Sequence, residues 1–112
     1  QLHPAETPRQ CHVEECLSER PGPYIAATDY MKIVPDQIQR WVPGTFVSLG
    51  TDGYGRSDGR DALRQHFEVD RRYIAVTALK ALADEGRLDQ ATVATAIEKY
   101  GIDPEKPDPV TL

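Results

Sequence analysis

The sequence contains no long apolar run, no basic cluster and few cysteines, and each absence excludes a class of protein. No stretch approaches the roughly 20 apolar residues of a membrane span, and the front carries no charged-then-apolar leader. Its 13 Lys and Arg residues are outnumbered by 18 Asp and Glu residues, which gives a net charge of −5. This mixed, acidic composition argues against nucleic acid or an anionic membrane as a partner. We therefore expect a cytoplasmic protein that binds neither.

The two cysteines could suggest a metal site or a disulfide, because His12 follows Cys11 and Cys16 lies close by. A closed zinc site needs four ligands, commonly presented as pairs, and the sequence offers no second pair of this kind. On a helical turn the two thiols diverge, and a cytoplasmic chain is kept reduced. We expect two free thiols and no bound metal.

The first half of the chain reads as a connector followed by an α/β unit. Residues 1–20 carry prolines without apolar periodicity, apart from a short helical turn, and we assign them as a connector. Tyr24–Thr28 is apolar at consecutive positions, as in a parallel strand covered on both faces. Thr45–Leu49 predicts a second strand. Between the strands, Pro35 marks the first turn of a helix that we expect to run to Val42. We expect Ile38, Trp41 and Val42 to lie on one side of this helix.

The second half predicts three helices and an extended tail. Ser57 or Asp58 is expected to cap the first helix, and its inward residues to be Ala62, Leu63 and Phe67. His66 lies beside that face without an identifiable nucleophile, so we interpret it as a packing residue rather than a general base. The other two helices are predicted to begin after Asp70 and Asp89 and to end at Gly86 and Gly101. The proline-rich tail needs a surface to lie on, and with the acidic surface it leaves open a docking role.

A glycine-rich turn, here called the glycine loop (residues 50–58), joins the second strand to the following helix. Three glycines in six residues, Gly50, Gly53 and Gly55, allow positive φ and close backbone approach. The Gly50–Ser57 loop is one residue away from a phosphate-binding loop, and Asp29 lies where a magnesium ligand would be sought. The near match makes a small nucleotide or anion-binding module the alternative function. Two departures count against it, because Arg56 replaces the lysine of that pattern and Asp52 adds a carboxylate.

The structural interpretation is that the glycine loop forms a rigid joint. Its charged and aromatic residues would pair with each other or contact an adjoining domain or subunit. The interface candidates are Asp52, Tyr54, Arg56 and Asp58.

The same residues carry a resemblance to a known family. GTDGYGRSD at 50–58 and HFEVD at 66–70 resemble the C-terminal domain of the homodimeric bacterial pyruvate dehydrogenase decarboxylase component. Residues 24–42 and 73–86 are similar to the segments on either side, and the closing IDPEKPDP also fits. The resemblance identifies the chain as a member of the transketolase-like thiamine-diphosphate enzymes. It implies the latter part of a transketolase C-terminal-like domain over residues 21–112, with a mostly parallel sheet, flanking helices and a helix-rich C-terminal half.

The resemblance also implies a function for a larger parent enzyme. Such an enzyme decarboxylates pyruvate with thiamine diphosphate and magnesium and passes the two-carbon unit to the lipoyl group of dihydrolipoyl acetyltransferase. We expect this chain to bind no cofactor alone and to contribute no catalytic residue. Its expected partners are the remaining domains of the enzyme and the second subunit of a homodimer. Since two strands do not make a stable sheet, we expect further strands before Gln1.

Overall fold

The computed structural model describes residues 2–112 and shows short strands among longer helices. The strands are β1 (Tyr24–Ala27) and β2 (Phe46–Leu49). The helices are α1 (His12–Leu17), α2 (Ile33–Asp36), α3 (Arg60–His66), α4 (Arg71–Asp84) and α5 (Gln90–Lys99), with 3₁₀ turns at Gln39–Trp41 and Pro109–Thr111. No helix of the described residues is long and apolar enough to cross a membrane.

The two strands form a parallel pair, as the α/β interpretation requires. Tyr24 is opposite Phe46 and Ala27 is opposite Leu49. Parallel strands need a crossover connection, and here it is residues 28–45, called the crossover segment below. The strands are half-buried rather than enclosed on both faces as predicted, and Ala27 is exposed. The predicted α/β class is confirmed, whereas the predicted burial of both faces is not reached within this chain.

The prediction of one helix from Pro35 to Val42, with Ile38, Trp41 and Val42 on one side, is wrong. The crossover segment contains only the four-residue helix α2 and a 3₁₀ turn. Val42 is buried, but Ile38 and Trp41 are exposed. Helices this short are stable only when an apolar face packs against something. Because most of the apolar residues here face away from the core, only single turns form.

The C-terminal helices follow the predicted signals closely. The Asp70 carboxylate accepts hydrogen bonds from the backbone N–H groups of Arg72 (2.9 Å) and Tyr73 (3.2 Å) at the start of α4. Asp89 accepts one from Ala91 N–H at 3.0 Å at the start of α5. Such N-caps satisfy amides that have no partner within the helix. Gly86 and Gly101 follow the helix ends with φ of +74° and +66°, the left-handed geometry that glycine adopts without strain.

The start of α3 differs from the prediction. Its N-cap is Gly59, not Ser57 or Asp58, and the Asp58 carboxylate instead accepts a hydrogen bond from the adjacent Gly59 N–H at 2.7 Å. A helix capped by Asp58 would place Gly59 in its first turn, where glycine loses much backbone entropy. Ala62, predicted to face inward, is exposed.

The core is small and lies mainly where α4 packs on α5 and on β1. The buried apolar residues are Val42, Val69, Ala81, Ala83 and Val93. The accessible surface is 8420 Å² and the Cα radius of gyration is 17.1 Å. A self-contained monomer of this mass exposes about 6,200 Å² and has a radius of gyration of about 13 Å. The chain therefore exposes about 2,200 Å² more than a closed domain of its size.

The proline-rich tail lies on the body of the chain, as predicted. Pro109 is buried, and Lys106 Nζ donates to the backbone oxygen of His66 at 2.8 Å. The tail is not extended throughout, because Pro109–Thr111 forms a 3₁₀ turn capped by the Asp108 carboxylate. A proline in the first turn costs no intrahelical hydrogen bond.

Candidate interface site at the carboxyl edge of the sheet

The carboxyl ends of β1 and β2 lie at one edge of the sheet because the strands are parallel. The crossover segment leaves β1 there, and the glycine loop leaves β2 there. The strand pairing continues one step further, since Thr28 N–H donates to the Leu49 oxygen at 3.0 Å. In open α/β sheets, functional groups collect at this edge. A functional site is therefore expected at the carboxyl edge of this sheet.

Hydrogen bonds fix the glycine loop to the crossover segment. Thr51 N–H donates to the Tyr30 oxygen at 2.9 Å, and Thr51 Oγ1 donates to the Asp29 oxygen at 2.8 Å. The Asp52 carboxylate accepts from Lys32 N–H at 3.0 Å. Asp52 thus acts as a brace within the chain, where a partly buried backbone N–H would otherwise lack an acceptor. Two segments about 20 residues apart in sequence are held as one rigid unit.

Two of the loop glycines are required by close packing. A Cβ on Gly50 would lie 2.7 Å from Lys32 N and 2.8 Å from the Tyr30 oxygen. Gly53 has φ of +106°, and its Cβ would lie 2.6 Å from the Pro109 oxygen. Gly55 has open space around it. The glycines at 50 and 53 therefore serve the approach of backbone to backbone.

The geometry of the loop does not match a phosphate-binding loop. In that motif the helix begins at the lysine and serine or threonine, so that its N-terminal amides face the phosphates. Here α3 begins at Arg60, three residues after Ser57, and has only seven residues. The Asp52 carboxylate occupies the loop and binds Lys32 N–H. The alternative of a nucleotide module gains no support from this arrangement.

The other three interface candidates are exposed on the loop. Tyr54 is 78% exposed. Arg56 makes no ion pair with any of residues 2–112, so the alternative in which it closes onto the loop's own aspartates is not seen. The Asp58 carboxylate is used only for Gly59 N–H and stays exposed. A rigid loop thus presents an aromatic ring, a cation and an anion, while Asp52 faces inward.

An ion pair across the edge was not foreseen from sequence. Arg64 on α3 donates to both carboxylate oxygens of Asp29, from Nε at 3.2 Å and from the guanidinium NH2 at 2.9 Å. The hydrogen bond from Arg64 holds the pKa of Asp29 below its usual range. Because 35 residues separate the pair, no local spacing could have indicated it. Asp29 serves to join β1 to α3, which leaves it unsuited to the magnesium role considered above.

A polar cleft of about 580 Å³ lies between the end of β1 and the start of α4. Asp29 and Arg64 line one side, and Asp70 and Arg72 line the other. Arg72 donates to Asp70 Oδ2 from Nε at 3.1 Å and from NH2 at 2.7 Å. Burial works to raise the pKa of Asp70, but the hydrogen bonds from Arg72 and from the Tyr73 backbone lower it overall. These paired charges neutralise one another and leave little net charge for substrate chemistry.

His66 is a packing residue, as expected, and is not arranged as a general base. Its ring meets Phe67 edge-to-face with centroids 4.8 Å apart, a favoured aromatic geometry. Burial lowers the pKa of His66, and the charges of Arg56 and Lys106 lower it further.

The two cysteines are free thiols, as predicted. Cys16 Sγ lies 3.4 Å from His12 Nε2 on exposed α1. Within residues 2–112 there is no group of three or more His, Cys, Asp or Glu side chains that could hold a metal ion.

Comparison with known proteins decides the family. Residues 5–70, more than half of the chain, match the transketolase-like TK C-terminal domain. The chain belongs to this transketolase-like C-terminal domain family. The resemblance identified from the sequence is thereby confirmed, and the parallel strand pair with flanking helices is the part of that α/β fold seen here.

Relatives of this transketolase-like domain extend the match to almost the whole chain. The chain is 56% identical over 110 residues to the pyruvate dehydrogenase E1 component of Pseudomonas aeruginosa, and 53% identical over 111 residues to that of Cupriavidus necator. It is 47% identical over 109 residues to that of Escherichia coli. These alignments cover 96% to 99% of the chain but only 12% of each relative. The chain thus spans about an eighth of the length of the enzymes it matches.

Proposed function

We propose that this chain acts as the C-terminal part of a pyruvate dehydrogenase E1 subunit and supports its dimer. The single observation that carries the proposal is identity of 47% to 56% to E1 components over nearly the whole chain. The subunit would work in the cytoplasm, decarboxylate pyruvate with thiamine diphosphate, and reductively acetylate the lipoyl group of dihydrolipoyl acetyltransferase. The division at residue 20 between connector and domain stays a prediction.

The carboxylates of the described edge do not fit a magnesium–thiamine diphosphate site. Magnesium in such a site needs free oxygen ligands. Asp29 is bound to Arg64, Asp52 to Lys32 N–H, and Asp70 to Arg72 and the start of α4. The cofactor is therefore assigned to other parts of the subunit, and no catalytic role is assigned to residues of this chain.

The role of the chain itself is to present the glycine loop to an adjoining domain or subunit. Tyr54, Arg56 and Asp58 are the contact residues, and Asp52 holds the loop in shape from behind. A preformed loop loses little conformational entropy on binding. Because Arg56 has no ion-pair partner among residues 2–112, it is available for a carboxylate across the interface, with bidentate geometry.

The test is Arg56→Ala in the full-length subunit, with Arg60→Ala as the matched control on the exposed first residue of α3. A buried charge pair that loses one partner costs about 3 to 5 kcal/mol, so we expect weaker dimerisation and a lower Tm. Sedimentation and thermal unfolding measure both, beside pyruvate-dependent turnover with added thiamine diphosphate and magnesium. Unchanged dimerisation and Tm in Arg56→Ala would remove Arg56 from the interface, and absence of turnover in the unmodified subunit would overturn the E1 assignment.

A further inference from the structure

The crossover segment carries the largest run of exposed apolar side chains in the described chain. Tyr30 is 72% exposed and Ile33 is 63% exposed, and Met31, Val34, Ile38 and Trp41 are also exposed. Soluble monomers rarely leave so many large apolar residues together at the surface. Such a patch marks a contact with another polypeptide surface.

The segment is held in shape by bonds that do not involve the apolar side chains. Asp29 is paired with Arg64, the Ser48 hydroxyl donates to the Asp36 carboxylate, and Asp52 braces Lys32 N–H. Its carboxylates are thus satisfied within the chain, while the apolar groups project outward. A face with satisfied polar groups and exposed apolar groups is suited to a dry, permanent contact.

The size of the exposed surface identifies the kind of occupant. The chain exposes about 2,200 Å² more than a closed domain of its mass, whereas a standard interface buries about 800 Å² per partner. A transient partner would cover only part of this excess. Obligate interfaces are larger and more hydrophobic than transient ones. The exposed apolar side chains of the crossover segment fit an obligate interface.

We infer that the crossover segment docks against the remaining part of its own polypeptide, the larger E1 subunit proposed above, on which this inference rests. A tethered partner is present at high effective concentration, so the apolar face is covered as soon as the subunit folds. A face that waited for a second subunit would stay exposed in every dissociated monomer and invite aggregation.

The test is hydroxyl-radical footprinting of the full-length subunit, read at Met31 and Trp41, at protein concentrations well above and well below subunit dissociation. Met31 is 56% exposed in the undocked chain, so without docking its oxidation should run at about half the rate of the urea-unfolded protein. With docking, we expect Met31 to be oxidised at less than about a tenth of the rate in the urea-unfolded protein, at both protein concentrations. Protection lost on dilution would assign the face to the second copy, and oxidation at about half the unfolded rate would show an open face. Either result overturns the inference.

A matched pair of variants adds a second readout. Ile33→Asp in the full-length subunit places a charge on the docked face, and Val110→Asp places one at a similarly exposed valine, 55% exposed, in the tail. We expect Ile33→Asp to raise the rate of proteolytic cleavage within residues 28–45 about fivefold or more, and Val110→Asp to change it less than about twofold. Equal rates for the two variants would contradict docking.

Pyruvate turnover by the unmodified subunit separates this inference from the proposed function. Protection of Met31 without turnover overturns the E1 assignment alone. Turnover with a reactive Met31 overturns the docking alone.

Discussion

The two halves of the chain differ in how far they complete their own packing. In the helical half, α4 and α5 pack on each other, are capped by Asp70 and Asp89, and bury Ala81, Ala83 and Val93. In the strand half, β1 and β2 remain half-buried, and the crossover segment turns its apolar residues outward. The helical half therefore completes much of its packing locally, whereas the strand half leaves apolar side chains exposed.

This contrast agrees with how the two kinds of element gain stability. A pair of antiparallel-running or crossed helices can bury one apolar stripe each against the other. A parallel strand pair needs neighbouring strands and covering layers on both faces. The excess surface of the chain is therefore expected on the strand half, where the exposed crossover residues are found.

The largest effect should come from breaking the packing of the helical half. Val93 on α5 is 5% exposed, and Val93→Asp would bury a charge without a partner. We expect a loss of at least about 3 kcal/mol in the free energy of unfolding, measured by urea denaturation. Thr92→Asp, on the exposed first turn of α5, is the control and should change stability by less than about 0.5 kcal/mol. Similar losses for the two substitutions would show that this half has no core of its own.

A smaller effect should come from forcing the glycine loop away from the crossover segment. Gly50→Ala places a Cβ against the backbone of Lys32 and Tyr30, at 2.7 and 2.8 Å. Because backbone atoms move less freely than side-chain ends, we expect a loss of about 2 kcal/mol. Gly55→Ala is the control, since its Cβ would meet open space. If the two alanine variants had equal urea midpoints, the loop would not be the rigid joint described here.

The helical half was predictable because its signals are local. Asp70 and Asp89 bind amides two or three residues away, and Gly86 and Gly101 lie directly after the helix ends. A side chain that caps its own helix needs nothing from the rest of the fold. The α/β class and the glycine requirement of the turn were also predicted, on the consecutive apolar residues of β1 and on the glycine spacing.

The strand half was less predictable because its contacts are distant in sequence. Asp29 meets Arg64 across 35 residues, and Asp52 meets Lys32 across 20. The helical spacing of Ile38, Trp41 and Val42 predicted one shared helix face, but only Val42 is buried within the described residues. Apolar periodicity predicts which residues share one side of a helix, but only the tertiary structure decides what that side contacts. The prediction of one continuous helix with these residues on one side failed for this reason.

The smallest effect on stability is expected from substitution of Asp70, which caps α4 at the junction of the two halves. The pKa of Asp70 is lowered in the folded chain, because hydrogen bonds from Arg72 and the Tyr73 backbone outweigh the effect of burial, which raises it. A lowered folded pKa means that the stabilisation is present above the unfolded value of about 3.9 and is lost as the pH falls through the folded pKa. Asp70→Asn removes the charge that pairs with Arg72 and should therefore cost up to about 1 kcal/mol near neutral pH.

The pH dependence separates this charge from the cap itself. Asparagine still accepts the backbone hydrogen bonds of a cap but carries no charge for Arg72. The difference in stability between the unmodified chain and Asp70→Asn should thus shrink as the pH falls below about 4, followed by thermal unfolding at a series of pH values. Asp61→Asn, in the exposed first turn of α3, is the matched control. A constant difference at all pH values would mean that the carboxylate charge contributes nothing and that α4 depends on hydrogen bonding and packing alone.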